Sequence, residues 1–150
     1  MPIYVFVCDK SEILKLEKAL AYDPYLDTSI IPSLPDIELE KLSKEQKDTF
    51  EKESNERLKK LAQLKADPYF DVIFARQEYE VLNGTMLGLN NNNYYIYLKA
   101  NQEFLDKAQN KLKQMFTSVH RAEKEIEDKV ILFIDERNNK TQAGFGAIFG

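Results

Sequence analysis

A chain of 150 residues with a single cysteine, Cys8, cannot close an intrachain disulfide. That thiol usage fits a reducing compartment, and the expected location is cytoplasmic. His120 is the one histidine, so Cys8 and His120 together leave too few nitrogen and sulfur ligands for a zinc site. No apolar run approaches the roughly 18–20 residues that cross a bilayer, so no membrane span is expected. The start, Met1-Pro-Ile-Tyr-Val-Phe-Val7, lacks a basic region and a small-residue cleavage site, and it reads as a strand and not as a signal peptide. Net positive charge is also missing. The formal charge is −4 and the pI near 5.2. An acidic chain lacks the clustered Lys and Arg with which affinity for phosphate backbones begins, and this argues against nucleic acid as a general partner.

What the chain has is 43% hydrophobic and 31% charged residues, a balance that suits one core under a charged surface. The expectation is a single α/β (α+β) domain over 1–150, with long amphipathic helices packed on a mixed sheet of five or six strands. Ile3–Cys8 is apolar on both strand faces, Ile3/Val5/Val7 on one and Tyr4/Phe6/Cys8 on the other. A strand without a polar face is covered on both sides and lies centrally. Ser11 is a suitable N-cap for a helix with Ile13, Leu14, Leu16, Leu20 and Ala21 on its apolar face, stopping near Tyr22 because Asp23 precedes Pro24. Asp23–Pro35, with three prolines, is an irregular connection.

Asp36 is placed to cap a long charged helix over 36–66. Its middle, Ser43–Arg57, is polar on almost every side and carries (i, i+4) acid-to-base pairs such as Glu53–Arg57. Such a helix stands off the body or breaks in two. Tyr69–Ala75 is strand-like. Asn83-Gly84 between alternating apolar residues is a type I′ hairpin signal, because both turn positions need positive φ. With Asn90–Asn93 as a second turn and Tyr94–Ala100 as the returning strand, Arg76–Ala100 predicts a three-stranded antiparallel meander. Asn101–Glu127 predicts a helix with Phe104, Ala108, Leu112, Met115, Val119, Ala122 and Ile126 on one stripe. Val130–Ile134 predicts a central strand beside Ile3–Cys8.

Strands 3–8 and 130–134, if parallel neighbours, would end at Asp9 and at Asp135-Glu136. Ligands in open α/β sheets sit beyond such carboxyl ends. Three convergent carboxylates would suit Mg²⁺ or Mn²⁺ holding a phosphate or activating water, with Lys10 or Arg137 binding an anionic substrate. Turn chemistry at strand ends accounts for the same residues without a site. Apart from this candidate Mg²⁺ or Mn²⁺, no cofactor is expected. Cys8 inside an apolar run is a buried inert thiol and not the partner of His120, a surface residue. Tyr94, Tyr95 and Tyr97 with Lys99 have the composition of a base-stacking strand but lack the glycine pattern of such modules. Gly144, Gly146 and Gly150 resemble a phosphate loop only superficially, and none is expected, since such a loop needs a following helix and a lysine. Asn83-Gly-Thr85 matches the glycosylation pattern, which carries no weight without a secretory signal.

Phe145, Ile148 and Phe149 in the tail are too apolar to stay in water. They either fold back, as an edge strand for example, or form an interaction surface for a protein partner or a second copy. No nucleophile–base signature is present. The leading expectation is therefore a non-enzymatic intracellular interaction or regulatory protein. The alternatives are a small divalent-metal-dependent enzyme acting on a phosphate-containing or other anionic substrate, and a nucleic-acid-binding protein.

Overall fold

The computed structural model describes residues 1–30 and 43–149, with side chains through Thr141. Its core is a four-stranded antiparallel sheet: β1 (Ile3–Cys8), β2 (Glu78–Asn83), β3 (Tyr94–Lys99) and β4 (His120–Arg121), in the order β2-β3-β1-β4. β1 pairs with β3 from Ile3↔Lys99 to Cys8↔Tyr94, and with the short β4 at Phe6 and Val7. Among the described residues four α-helices accompany it: α1 (Ile13–Ala21), α2 (Lys44–Lys65), α3 (Gln102–Met115) and α4 (Lys124–Phe149). With α2 and α4 set aside, the connectivity is β-α-β-β-α-β, the split βαβ arrangement. That arrangement hosts many unrelated activities, so it does not name one.

The two-sided β1 pattern is realised. Tyr4, Phe6 and Cys8 face one core with Ile96 and Leu98 of β3, covered by Ile13, Leu16 and Leu20 of α1 and by Leu105, Ala108 and Leu112 of α3. Val5 faces the other core with Leu82, Tyr95 and Tyr97, covered by Val130 and Ile134 of α4. Each fully buried leucine or phenylalanine contributes about 1.5–3 kcal/mol through removal from water.

Several expectations are corrected. The sheet has four strands, not five or six, and both neighbours of β1 are antiparallel to it. Val130–Ile134 is helical. Its apolar run is too short for periodicity to separate a strand from a buried helix segment, and the helix is favoured because Val130 and Ile134, one turn apart, both reach the Tyr95/Tyr97 face while Leu132 turns outward at 57% exposed. The long helix from Asn101 ends at Met115, because Phe116 is extended and Ser118 and Thr117 bond to Glu12 on the α1 side. The stripe runs through the break only because Phe116, Val119 and Ala122 are buried for separate reasons, the first two on one face of the sheet and Ala122 on the other. Met115, expected inside, is 50% exposed, and Phe104 is half-buried.

Tyr69–Ala75 is a set of turns closing in a 3₁₀ turn at Phe74–Arg76. Val72, Ile73 and Phe74 are buried without strand pairing. Lys111 holds this segment by donating to the Tyr69 and Val72 carbonyls at 3.3 and 3.0 Å, and its burial lowers its pKa. The meander is a two-stranded hairpin closed by a ten-residue loop, 84–93. Neither Asn83 nor Gly84 has positive φ, so there is no type I′ turn; among the described residues only Gly88, at φ 73°, enters that region. α1 begins one residue after Glu12 without a side-chain cap, since Ser11 donates instead to the Asp9 carboxylate. Asp36 lies outside the described residues. α2 starts at Ser43, whose hydroxyl and Gln46 form a reciprocal capping box.

None of the residues of α2 is buried. Phe50, Ser54, Arg57, Leu61 and Leu64 are half-buried at alternating spacings of four and three, and its other residues are exposed. Leu64 lines a small cavity with Tyr22, Pro24, Phe70 and Lys111 at the end of α2. α4 rests on the sheet as far as Arg137, which forms a bidentate pair with Glu80 of β2. Residues 135–141 are exposed and the helical backbone continues to Phe149, so the tail is neither an edge strand nor a loop.

Candidate functional site

The antiparallel register carries three loops to one end of the sheet. Cys8 and Asn83 both lie opposite Tyr94, and Val7 lies opposite His120. The β1–α1 turn (9–12), the β2–β3 loop (84–93) and the α3–β4 connection (116–119) therefore meet there, and this end holds most of the residues with chemical potential. Asp9 donates its backbone N–H to Ser118 Oγ at 3.2 Å. The Glu12 carboxylate accepts the Ser118 N–H at 2.7 Å and the Thr117 hydroxyl at 3.3 Å. These bonds tie the start of α1 to the end of α3 through the Glu12 carboxylate and the Asp9 backbone, while the Asp9 carboxylate accepts the Ser11 hydroxyl within its own turn.

Donation from Ser118, with a smaller part from Thr117, holds the Glu12 carboxyl below its ordinary value of 4.5. A depressed folded-state pKa stabilises the fold above the unfolded value and stops doing so as pH falls through the folded value. Glu12→Gln is therefore expected to lower stability at pH 7 and to leave it unchanged in strong acid. Urea melts at both pH values check this. Equal losses at the two would exclude the clamp.

Cys8 is fully buried, and its thiol donates to the Asp9 carbonyl at 3.4 Å. Burial, reinforced by Glu12, pushes its pKa up to about 11. His120 is exposed and its Nδ1 lies 3.1 Å from the Ser118 carbonyl oxygen, so no Cys–His pair forms. A neutral buried thiol does not attack. A thiol-specific reagent at pH 8 is expected to label native Cys8 only at the rate of unfolding, and labelling as fast as in urea would contradict this.

Asp135 and Glu136, the other two expected cation ligands, are exposed neighbours on α4 and not strand ends. The parallel strand pair on which their convergence with Asp9 depended is replaced by a helix. Among the described residues no three His, Cys, Asp or Glu side chains gather as a metal site requires. Of the tyrosines on β3, Tyr95 and Tyr97 are 3% and 4% exposed beneath α4, and Tyr94 is half-buried with the opposite core. The face that would stack bases is covered. Phe145, Ile148 and Phe149 follow one another on the α4 backbone, and their side chains lie outside the described residues.

At the other end of β1, Arg121 lies 3.5 Å from the centre of the Tyr4 ring and pairs with Glu127 at 3.1 and 3.0 Å. Glu127 also accepts the Val5 N–H at 3.1 Å, where β4 is too short to supply a carbonyl. This is a protected sheet edge. The hydroxyl of Tyr4 donates to Asp106 at 2.9 Å, linking the same network to α3. No spacing rule finds these residues, because the partners of Tyr4 and Val5 lie more than a hundred positions away.

No protein-family model, curated protein or solved structure matches this chain. No described helix is long and apolar enough to cross a membrane.

Proposed function

We propose that this is a cytoplasmic, non-enzymatic interaction or regulatory protein and that α2 is the element it presents. The observation that carries this reading is α2 itself: a capped helix of 22 residues with no buried residue. Helices of such composition draw their stability from partners or from many weak ion pairs, each about 0.2–0.5 kcal/mol. The end of the sheet adds support, since the Glu12 carboxylate and the Cys8 thiol are committed to structural bonds. The apolar tail residues Phe145, Ile148 and Phe149 are a second contact element on composition alone.

Hydrogen exchange tests the reading. In the isolated monomer the α2 amides should exchange far faster than those of α3, because local opening of α2 uncovers little apolar surface. A bound partner should slow them. Protection of α2 equal to that of α3 in a proven monomer would remove the proposal. Deleting residues 144–150 tests the tail. Conversion of an oligomer to a monomer, or loss of partner binding, supports a contact role, and a concentration-independent loss of stability shows internal packing.

A further inference from the structure

Beside the Glu12 clamp, the β1–α1 turn and the β2–β3 loop border an open cleft of about 140 Å³ lined by Lys10, Asn83, Gly84, Thr85, Asn91–Asn93 and Tyr94. We propose that it binds a small oxyanion: phosphate, or the phosphate end of a small metabolite. Lys10 brings a full positive charge, and Thr85, Asn92 and Asn93 bring neutral hydrogen-bond donors. None of these four side chains has a hydrogen-bond or ion-pair partner among the described residues, and no carboxylate is among the lining residues. A cation entering the cleft would meet the ammonium group and no lining carboxylate. A phosphate meets one charged and several neutral donors, the combination that holds such groups when lysine supplies the charge. The cleft has room for a phosphate group.

The loop is shaped before any ligand arrives. A Cβ on Gly84 would lie 2.4 Å from Asn91 Oδ1 and 2.9 Å from the Asn91 carbonyl oxygen, so only glycine lets Asn91 close over that turn. Asn91 is then fixed from both ends of its amide. Its Oδ1 accepts the Asn93 N–H at 3.1 Å and its Nδ2 donates to the Tyr95 hydroxyl at 3.0 Å. The Gly84 N–H donates to the Asn93 carbonyl at 2.9 Å and closes the loop at its base. A preformed loop gives up less freedom on binding. This site does not depend on α2, and it stands or falls separately from the interaction reading.

The test is a titration of the ¹⁵N-labelled full chain with inorganic phosphate at neutral pH, with sodium chloride lowered in step so that ionic strength stays constant. Saturable shifts are expected at the amides of Lys10, Gly84 and Asn91–Asn93, with a Kd of about 1–10 mM. Lys10→Gln should weaken binding about tenfold, the loss of one charge-assisted contact. Lys124→Gln, near Arg121 and away from the cleft, should leave it unchanged. Thr85→Val supplies a second variant at an exposed position and should weaken binding less. Methyl phosphate binding as tightly as inorganic phosphate identifies a phosphate terminus as the ligand, and binding of inorganic phosphate alone identifies the free ion. Shifts that grow linearly without saturation would overturn the proposal. So would shifts centred on Arg121 and Lys124, or an affinity unaffected by Lys10→Gln.

Discussion

Ile134→Asp and Val130→Asp are each expected to cost about 4 kcal/mol or more, enough to unfold most small domains, while Leu132→Asp between them should cost no more than about 0.5 kcal/mol. Val130 is fully buried and Ile134 is 3% exposed, both against Val5, Leu82, Tyr95 and Tyr97. An aspartate there loses the apolar contact and places an unpaired carboxylate in a core where, among the described residues, no charged side chain is buried to meet it. Leu132 is 57% exposed on the outer side of α4, where a carboxylate stays hydrated. The contrast has diagnostic value because 130, 132 and 134 would share one face of a strand. Equal damage at all three positions would restore the strand and refute the helix. Urea melts of the three variants, with circular dichroism to confirm helix content, decide it.

That pair of alternatives shows where the sequence was readable. β1 was legible because alternation puts Tyr4, Phe6 and Cys8 on one face and Val5 on the other, and both faces are apolar. The mixed α/β class follows from β1, the Tyr94–Lys99 strand and the helices. The five or six strands expected were too many, since two apolar runs, 69–75 and 130–134, are buried without being strands. In the first, Lys111 supplies from the side the bonds that a neighbouring strand would have supplied. In the second, helix packing on a tyrosine-lined sheet overrides the strand preference of Val and Ile. The Asn83-Gly84 signal marked a real reversal of direction but the wrong turn, because the chain uses ten residues where two would serve. The site was less legible still. Glu12 reads as a first-turn acid beside its cap, and its bonds to Thr117 and Ser118 span more than a hundred positions. Lys10 was visible as a possible anion ligand, but its neighbours in the asparagine loop become apparent only when β1 and β3 are paired.

Leu112→Ala should lower stability by about 2–5 kcal/mol, the range for a buried leucine whose cavity only partly collapses. Leu112 is 1% exposed and closes the α3 side of the core, with Leu105 and Ala108 preceding it on the same helix face. The loss should fall at the upper part of that range. Phe6, Phe74 and Leu98 of the same core belong to three different segments held by strand pairing or turns, which limits how far this core can collapse into the space. Met115→Ala, one turn further on, should cost under about 1 kcal/mol because half of Met115 is already in water. The ratio between these variants locates the end of the packed stripe. If Met115 were packed as Leu112 is, its truncation would cost several times more. Denaturant melts of both variants with an unchanged m-value would place the end of the packed helix at Leu112 and assign the burial of Phe116 and Val119 to the extended connection that follows.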